Sequence, residues 1–170
     1  MKYEELNALH IARERKKNDW LDLLYASAFS LRYTIHEKLG APEAWNNKGT
    51  ETAYIRVMKV GRDLAPTPMQ PSLMLANMDG VFVFGISITF EPGANSFPKN
   101  NQFTAVGVKM TSGAPTYCMW DLENDAPWPK GQWATTADEA ADMVIKYFSE
   151  ALTSFDPETS FTSQQKLGFY

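Results

Sequence analysis

The stretch Asp79 to Pro92, DGVFVFGISITFEP, constrains this chain more than any other. Phe82, Phe84, Ile86, Ile88 and Phe90 alternate with Val81, Val83, Gly85, Ser87, Thr89 and Glu91. Successive side chains of a strand point to opposite faces, so this pattern predicts a strand with one strongly apolar face. Its other face begins apolar and ends polar. A strand of this kind sits centrally in a sheet, covered fully on one side and partly on the other.

The rest of the chain supplies what such a strand needs. Residues 3 to 39 carry Leu6, Leu9, Trp20, Leu23, Leu24, Phe29, Leu31, Ile35 and Leu39, mostly three or four apart within each half, which predicts a helix. Gly40 and Pro42 are its stop signals. Asn18 or Asp19 can cap a second helix starting at Trp20, so one long helix and a helix broken near Asn18 are both readings. The half after Trp20 is the more apolar and is expected to pack on the sheet. Residues 1–19 are expected to protrude. Ala44–Thr50 reads as a loop and Thr52–Val60 as one strand. The three prolines within Gly61–Pro71 predict a loop, and Ser72–Ala76 a short edge strand. Phe103–Met110 and Thr116–Leu122 complete the sheet, with Ser112 to Pro115 as the turn between them. Short connections favour antiparallel neighbours.

Thr136 and Glu139 have capping-box spacing and open a last helix that ends at Asp156-Pro157. Residues 158–170 read as a polar, flexible tail. The predicted fold is α+β in a single domain spanning 1–170. An antiparallel sheet of four to five strands carries the N-terminal and C-terminal helices on one face.

Charge and cysteine content narrow the chemistry. The formal charge of −4 offers no general attraction to nucleic acid or anionic lipid, so neither is an expected partner. The basic run Arg13–Lys17 lacks interleaved aromatics and reads as a solvated helix face. Cys118 is the sole cysteine, and the N-terminus lacks the apolar core of a signal peptide. The expectation is a soluble cytoplasmic protein. His10 and His36 lie far apart and do not have metal-ligand spacing, so no metal or other cofactor is expected. A pairing of either histidine with Cys118 competes with the reading of Cys118 as a small buried apolar group in a strand. No phosphate-cradling glycine loop and no G-x-S-x-G elbow occurs.

Two candidate surfaces remain. Trp128 and Trp133 flank Pro129-Lys130-Gly131, and Asp121, Glu123 and Asp125 lie just upstream. Exposed tryptophans are frequent contact residues, and an acidic surface can block a basic site. Together they point to a protein partner and an inhibitor or immunity-type role. The competing reading makes the tryptophans a lid on the core and the acids a solvated turn. The Trp45-Asn46-Asn47 turn and the loop holding Met69 are weaker candidates for the same surface. The alternative function is an anionic small-molecule site between sheet and first helix, using Arg56, Tyr54, His36 and Lys109. Arg56 motivates it, because a guanidinium in an apolar strand wants an anionic partner. Homo-oligomerisation through residues 6–17 is a third expectation.

Overall fold

A computed structural model describes residues 2–60, 66–68, 79–93 and 96–154. Helix α1 runs without interruption over Tyr3–Leu39, about 55 Å of helix. The break near Asn18 does not occur. Asn and Asp cost only a fraction of a kcal/mol inside a helix, and the packed C-terminal half supplies the nucleus from which the rest propagates. The helix stops at Gly40, whose left-handed φ of 57° brings its N–H to the Glu37 carbonyl at 3.3 Å.

The expected loop over 44–50 is instead a hairpin. Strands β1 (Ala44–Asn47) and β2 (Thr50–Ala53) pair antiparallel across a two-residue turn. Lys48 and Gly49 both have positive φ, 50° and 89°, as a tight hairpin turn requires. The Asn46 side chain accepts from the Gly49 N–H at 2.7 Å. The Asn-Asn-Lys-Gly turn is legible in the sequence, but its four-residue flanks are too short and too polar to read as strands.

The single strand expected over 52–60 is divided at Tyr54. Its first residues belong to the hairpin, and β3 (Ile55–Val60) joins the main sheet. Strand β4 (Pro66–Pro68) lies on the outer edge of β3, within the stretch expected to be loop. Proline is tolerated there because an edge strand has N–H positions that need no ladder partner. The remaining residues of 61–71, the expected strand 72–76 and the tail 158–170 fall outside the described residues.

The opening strand is β5 (Phe82–Phe90), followed by β6 (Asn100–Thr111), β7 (Ala114–Asp121) and the two-residue β8 (Ala126–Pro127). The sheet order is β4-β3-β5-β6-β7-β8, antiparallel throughout. Only Ser112 and Gly113 form the β6–β7 turn, so Pro115 lies in strand opposite Met110. Helix α2 spans Ala137–Thr153. Thr136 Oγ1 accepts from the Glu139 N–H at 3.2 Å. The Glu139 carboxylate reaches one residue further back than a capping box predicts, to the N–H and hydroxyl of Thr135. Those bonds hold its pKa below the usual glutamate value.

Both helices cover one face of the sheet. Phe82, Phe84, Ile86 and Ile88 pack with Ile55, Val57, Val106, Val108 and Met119 against Leu24, Leu31 and Ile35 of α1 and Val144 and Phe148 of α2. Each such large side chain contributes about 1.5–3 kcal/mol on burial. Two polar bonds fix α1 over this layer. Arg32 Nε donates to the Ile55 carbonyl at 2.9 Å, and the buried Tyr117 hydroxyl donates to the Ser27 carbonyl at 3.2 Å. Lys38 ties the two helices through Asp138 and Asp142, at 2.9 and 2.8 Å.

The face without helices is layered by the sheet's own aromatics. The Phe103 ring lies across Gly85, and the Trp120 ring lies across Gly107. A Cβ on Gly85 would stand 1.9 Å from the Phe103 ring. Gly85 therefore occupies a strand interior because no other residue leaves room for that ring. Gly85→Ala is expected to lower stability by about 1–3 kcal/mol through displacement of Phe103. Gly93→Ala, where an added Cβ meets only Ser96, at 3.8 Å, among the described residues, should change it little. Chemical denaturation of both variants checks this.

Candidate functional site

The connection from β7 to α2 is pinned at both ends. Pro127 pairs with Trp120 and Ala126 with Asp121. The Trp128 N–H donates to the Met119 carbonyl at 2.9 Å, and Tyr117 and Ala134 exchange two backbone hydrogen bonds at 2.9 and 2.7 Å. The two tryptophans expected to act together are separated by this arrangement. Trp133 is half-buried against Val81, Ala105, Cys118 and Trp120, and Lys109 Nζ sits 4.0 Å from its ring centre. Trp128 is 52% exposed, its ring edge-on to Tyr147 of α2 at 6.5 Å between centroids.

The acidic run is largely spent on its own turn. Asp121 accepts from the N–H groups of Glu123 and Asn124 and from the Asn124 side chain, at 2.9, 3.2 and 2.6 Å. Asp125, at a positive φ of 48°, accepts from the Trp120 indole N–H at 3.1 Å. Glu123 is exposed and bonds through its side chain to none of the described residues. This geometry holds the turn in shape and leaves the Glu123 carboxylate at its tip without a bonded partner among the described residues.

The four residues of the alternative site are not brought together. His36 lies on α1, with Nε2 3.7 Å from Glu43. Lys109 is stacked on Trp133. Ile55 and Val57 face the helices, so Tyr54 and Arg56 stand on the opposite side of the sheet. A pocket beneath α1 cannot use them. Arg56 is half-buried, and burial lowers its pKa. Its only partner among the described residues is the Ser87 hydroxyl at 3.4 Å, and its Nε is buried without a hydrogen bond.

Cys118 is fully buried on that same helix-free side, and burial pushes its thiol up to about 11. A thiolate nucleophile is therefore not available at neutral pH. His36 is on the other side of the sheet and His10 on the exposed start of α1, so neither is placed to activate it.

At the polar end of β5 the structure assembles a cluster that sequence reasoning missed. Lys99 Nζ is bonded to the Glu91 carboxylate and, at 2.9 Å, to the Tyr54 hydroxyl, which itself donates to Glu91 at 2.7 Å. The ammonium lies 5.1 to 5.7 Å from the ring centres of Tyr54, Phe97 and Trp45. Only 7% of the Lys99 side chain is exposed. Three aromatic faces and one carboxylate thus enclose a cation that the chain itself provides. Trp45 lies in β1 and Phe97 in the β5–β6 connection, far apart in sequence, and no local pattern links them. The cluster joins the hairpin, the bend at Tyr54 and the β5–β6 connection.

No family model, curated protein or solved structure matches this chain. No helix among the described residues is long and apolar enough to cross a membrane.

Burial alone lowers the Lys99 pKa, but the bonds to Glu91 and Tyr54 outweigh it and the net shift is upward. A cation whose pKa rises on folding stabilises the fold fully below the ordinary lysine range, and that contribution is lost as pH climbs through the raised value. Lys99→Met is expected to lower the denaturation midpoint at neutral pH and to remove this part of the alkaline loss. Lys146→Met, at an exposed pair on α2, should do neither. Denaturation curves from neutral to alkaline pH test the assignment.

Proposed function

We propose that this protein acts by contact with a protein partner, through the surface centred on Trp128. One observation carries the reading: a tryptophan is held half in solvent by a loop bonded at both ends to the sheet. Indole is the side chain most enriched among residues that dominate binding energy, and a pinned loop loses little conformational freedom on docking. The exposed Glu123 carboxylate at the tip of the preceding turn suits a partner with a basic rim, which accords with an inhibitor or immunity-type role. A buried, unpaired cysteine fits work in a reducing compartment such as the cytoplasm.

The test is comparative affinity capture from lysate of the source organism with wild type and Trp128→Ala. A protein retained by the wild type and weakened at least about tenfold by the substitution supports the reading. Equal retention by both, with circular dichroism unchanged, would sink it.

A second reading rests on Arg56. A half-buried guanidinium with one long hydrogen bond is an incomplete ionic site, and an anionic small molecule on the helix-free face would complete it. Phosphate and citrate are then expected to raise the melting temperature of the wild type and not that of Arg56→Met. Equal shifts in both proteins would remove this reading.

A further inference from the structure

The cluster around Glu91 encloses a cation, and its aromatic walls stand back from the one they hold. Trp45 is in β1, Tyr54 links β2 to β3, and Phe97 and Lys99 lie in the β5–β6 connection. The Trp45 and Tyr54 rings meet at 71° with 5.0 Å between centroids, which makes a corner. Phe97 is the outer wall, 68% exposed. Glu91 supplies a carboxylate, bonded to Lys99 and to the Tyr54 hydroxyl.

Spacing separates this site from another lysine on an aromatic ring in the same protein. Lys109 Nζ lies 4.0 Å from the centre of the Trp133 ring, as a bare ammonium does in direct contact with a ring face. Lys99 Nζ lies 5.1 Å from the Tyr54 centre, 5.4 Å from Phe97 and 5.7 Å from Trp45. Every wall is thus farther away by about the 1.5 Å of one C–N bond. A methyl carbon touching a ring at about 3.5–4.0 Å sets its nitrogen about 5.0–5.5 Å from that ring. The enclosure has the dimensions for N-methyl groups, and a bare ammonium leaves it loosely filled.

Lys99 is placed so that it can leave. It stands just before β6, and its flexible four-carbon stem can swing out without moving the strand. Outside the enclosure its ammonium is a strongly hydrated point charge. Its departure does not strand Glu91, because the Tyr54 hydroxyl already donates to that carboxylate at 2.7 Å and an incoming cation restores the counter-charge. We infer that Trp45, Tyr54, Phe97 and Glu91 form a binding site for a methylated ammonium group, which Lys99 occupies until such a ligand displaces it. A quaternary ammonium has no N–H to leave unbonded, and aromatic faces attract it through the ring quadrupole. The site shares no residue with the Trp128 surface, so either proposal can fail without the other.

Isothermal titration calorimetry of the full chain with tetramethylammonium chloride tests this, with ammonium chloride as the control for charge alone. Wild type is expected to bind tetramethylammonium, and to bind ammonium at least about tenfold more weakly. Lys99→Ala should bind tetramethylammonium at least about tenfold more tightly than wild type, since no resident competes. Phe97→Ala removes an exposed ring and should weaken binding about two- to fivefold, with the circular dichroism unchanged. Choline and acetyl-trimethyllysine amide then distinguish a free small molecule from a methylated lysine, the tighter ligand naming the source. A wild type that binds no tetramethylammonium overturns the proposal, whatever Lys99→Ala does. So does equal binding of ammonium, or a folded Lys99→Ala or Phe97→Ala that binds as wild type does.

Discussion

The apolar face of β5 is the contact on which the rest depends. Phe84 and Ile86 are completely buried, as are Leu24, Leu31 and Ile35 of α1 and Val144 of α2. Because strand side chains alternate, committing this face to the helices commits Gly85, Ser87 and Thr89 to the other side. The register of β3 and β6 follows, since a slip of one residue would turn Ile55, Val57, Val106 and Val108 away from the core. One strand's alternation thereby decides which face of every neighbour meets the helices.

The other face is closed by different means. Phe103 and Trp120 fold flat over Gly85 and Gly107, and Lys109 lies on Trp133. Farther along, Glu91, Tyr54 and Lys99 close the polar end within three aromatic rings. Arg56 is the exception among the charges of this face. The hydroxyl of Ser87 is too weak an acceptor, at too long a distance, to balance a half-buried guanidinium.

The functional surfaces were legible to different degrees. Trp128 stands out in sequence because tryptophans and prolines crowd one loop, yet nothing local separates it from Trp133. The difference comes from the backbone bonds to Met119 and Tyr117, which turn one ring outward and the other under the sheet. Asp121 and Asp125 look like a binding run, but both serve the turn they stand in, through bonds set by backbone geometry. Strand alternation sets Arg56 opposite Ile55 and Val57, but Tyr54, Met58 and Val60 make its own face apolar as well, so only the packed sheet shows which face meets α1 and His36.

What the sequence determined by itself are the features that depend on near neighbours. The alternation of β5, the stripe of α1, the glycine stop at Gly40 and the Thr136 cap act over a few residues, so their signals survive in one dimension. Tertiary structure decided what depends on distant partners. It kept α1 whole through Asn18, because its far half is anchored against the sheet. It divided the chain at Tyr54, because the two sides of that residue pair with different strands. It brought Trp45, Phe97 and Lys99 around Glu91, from positions that only the folded sheet makes adjacent.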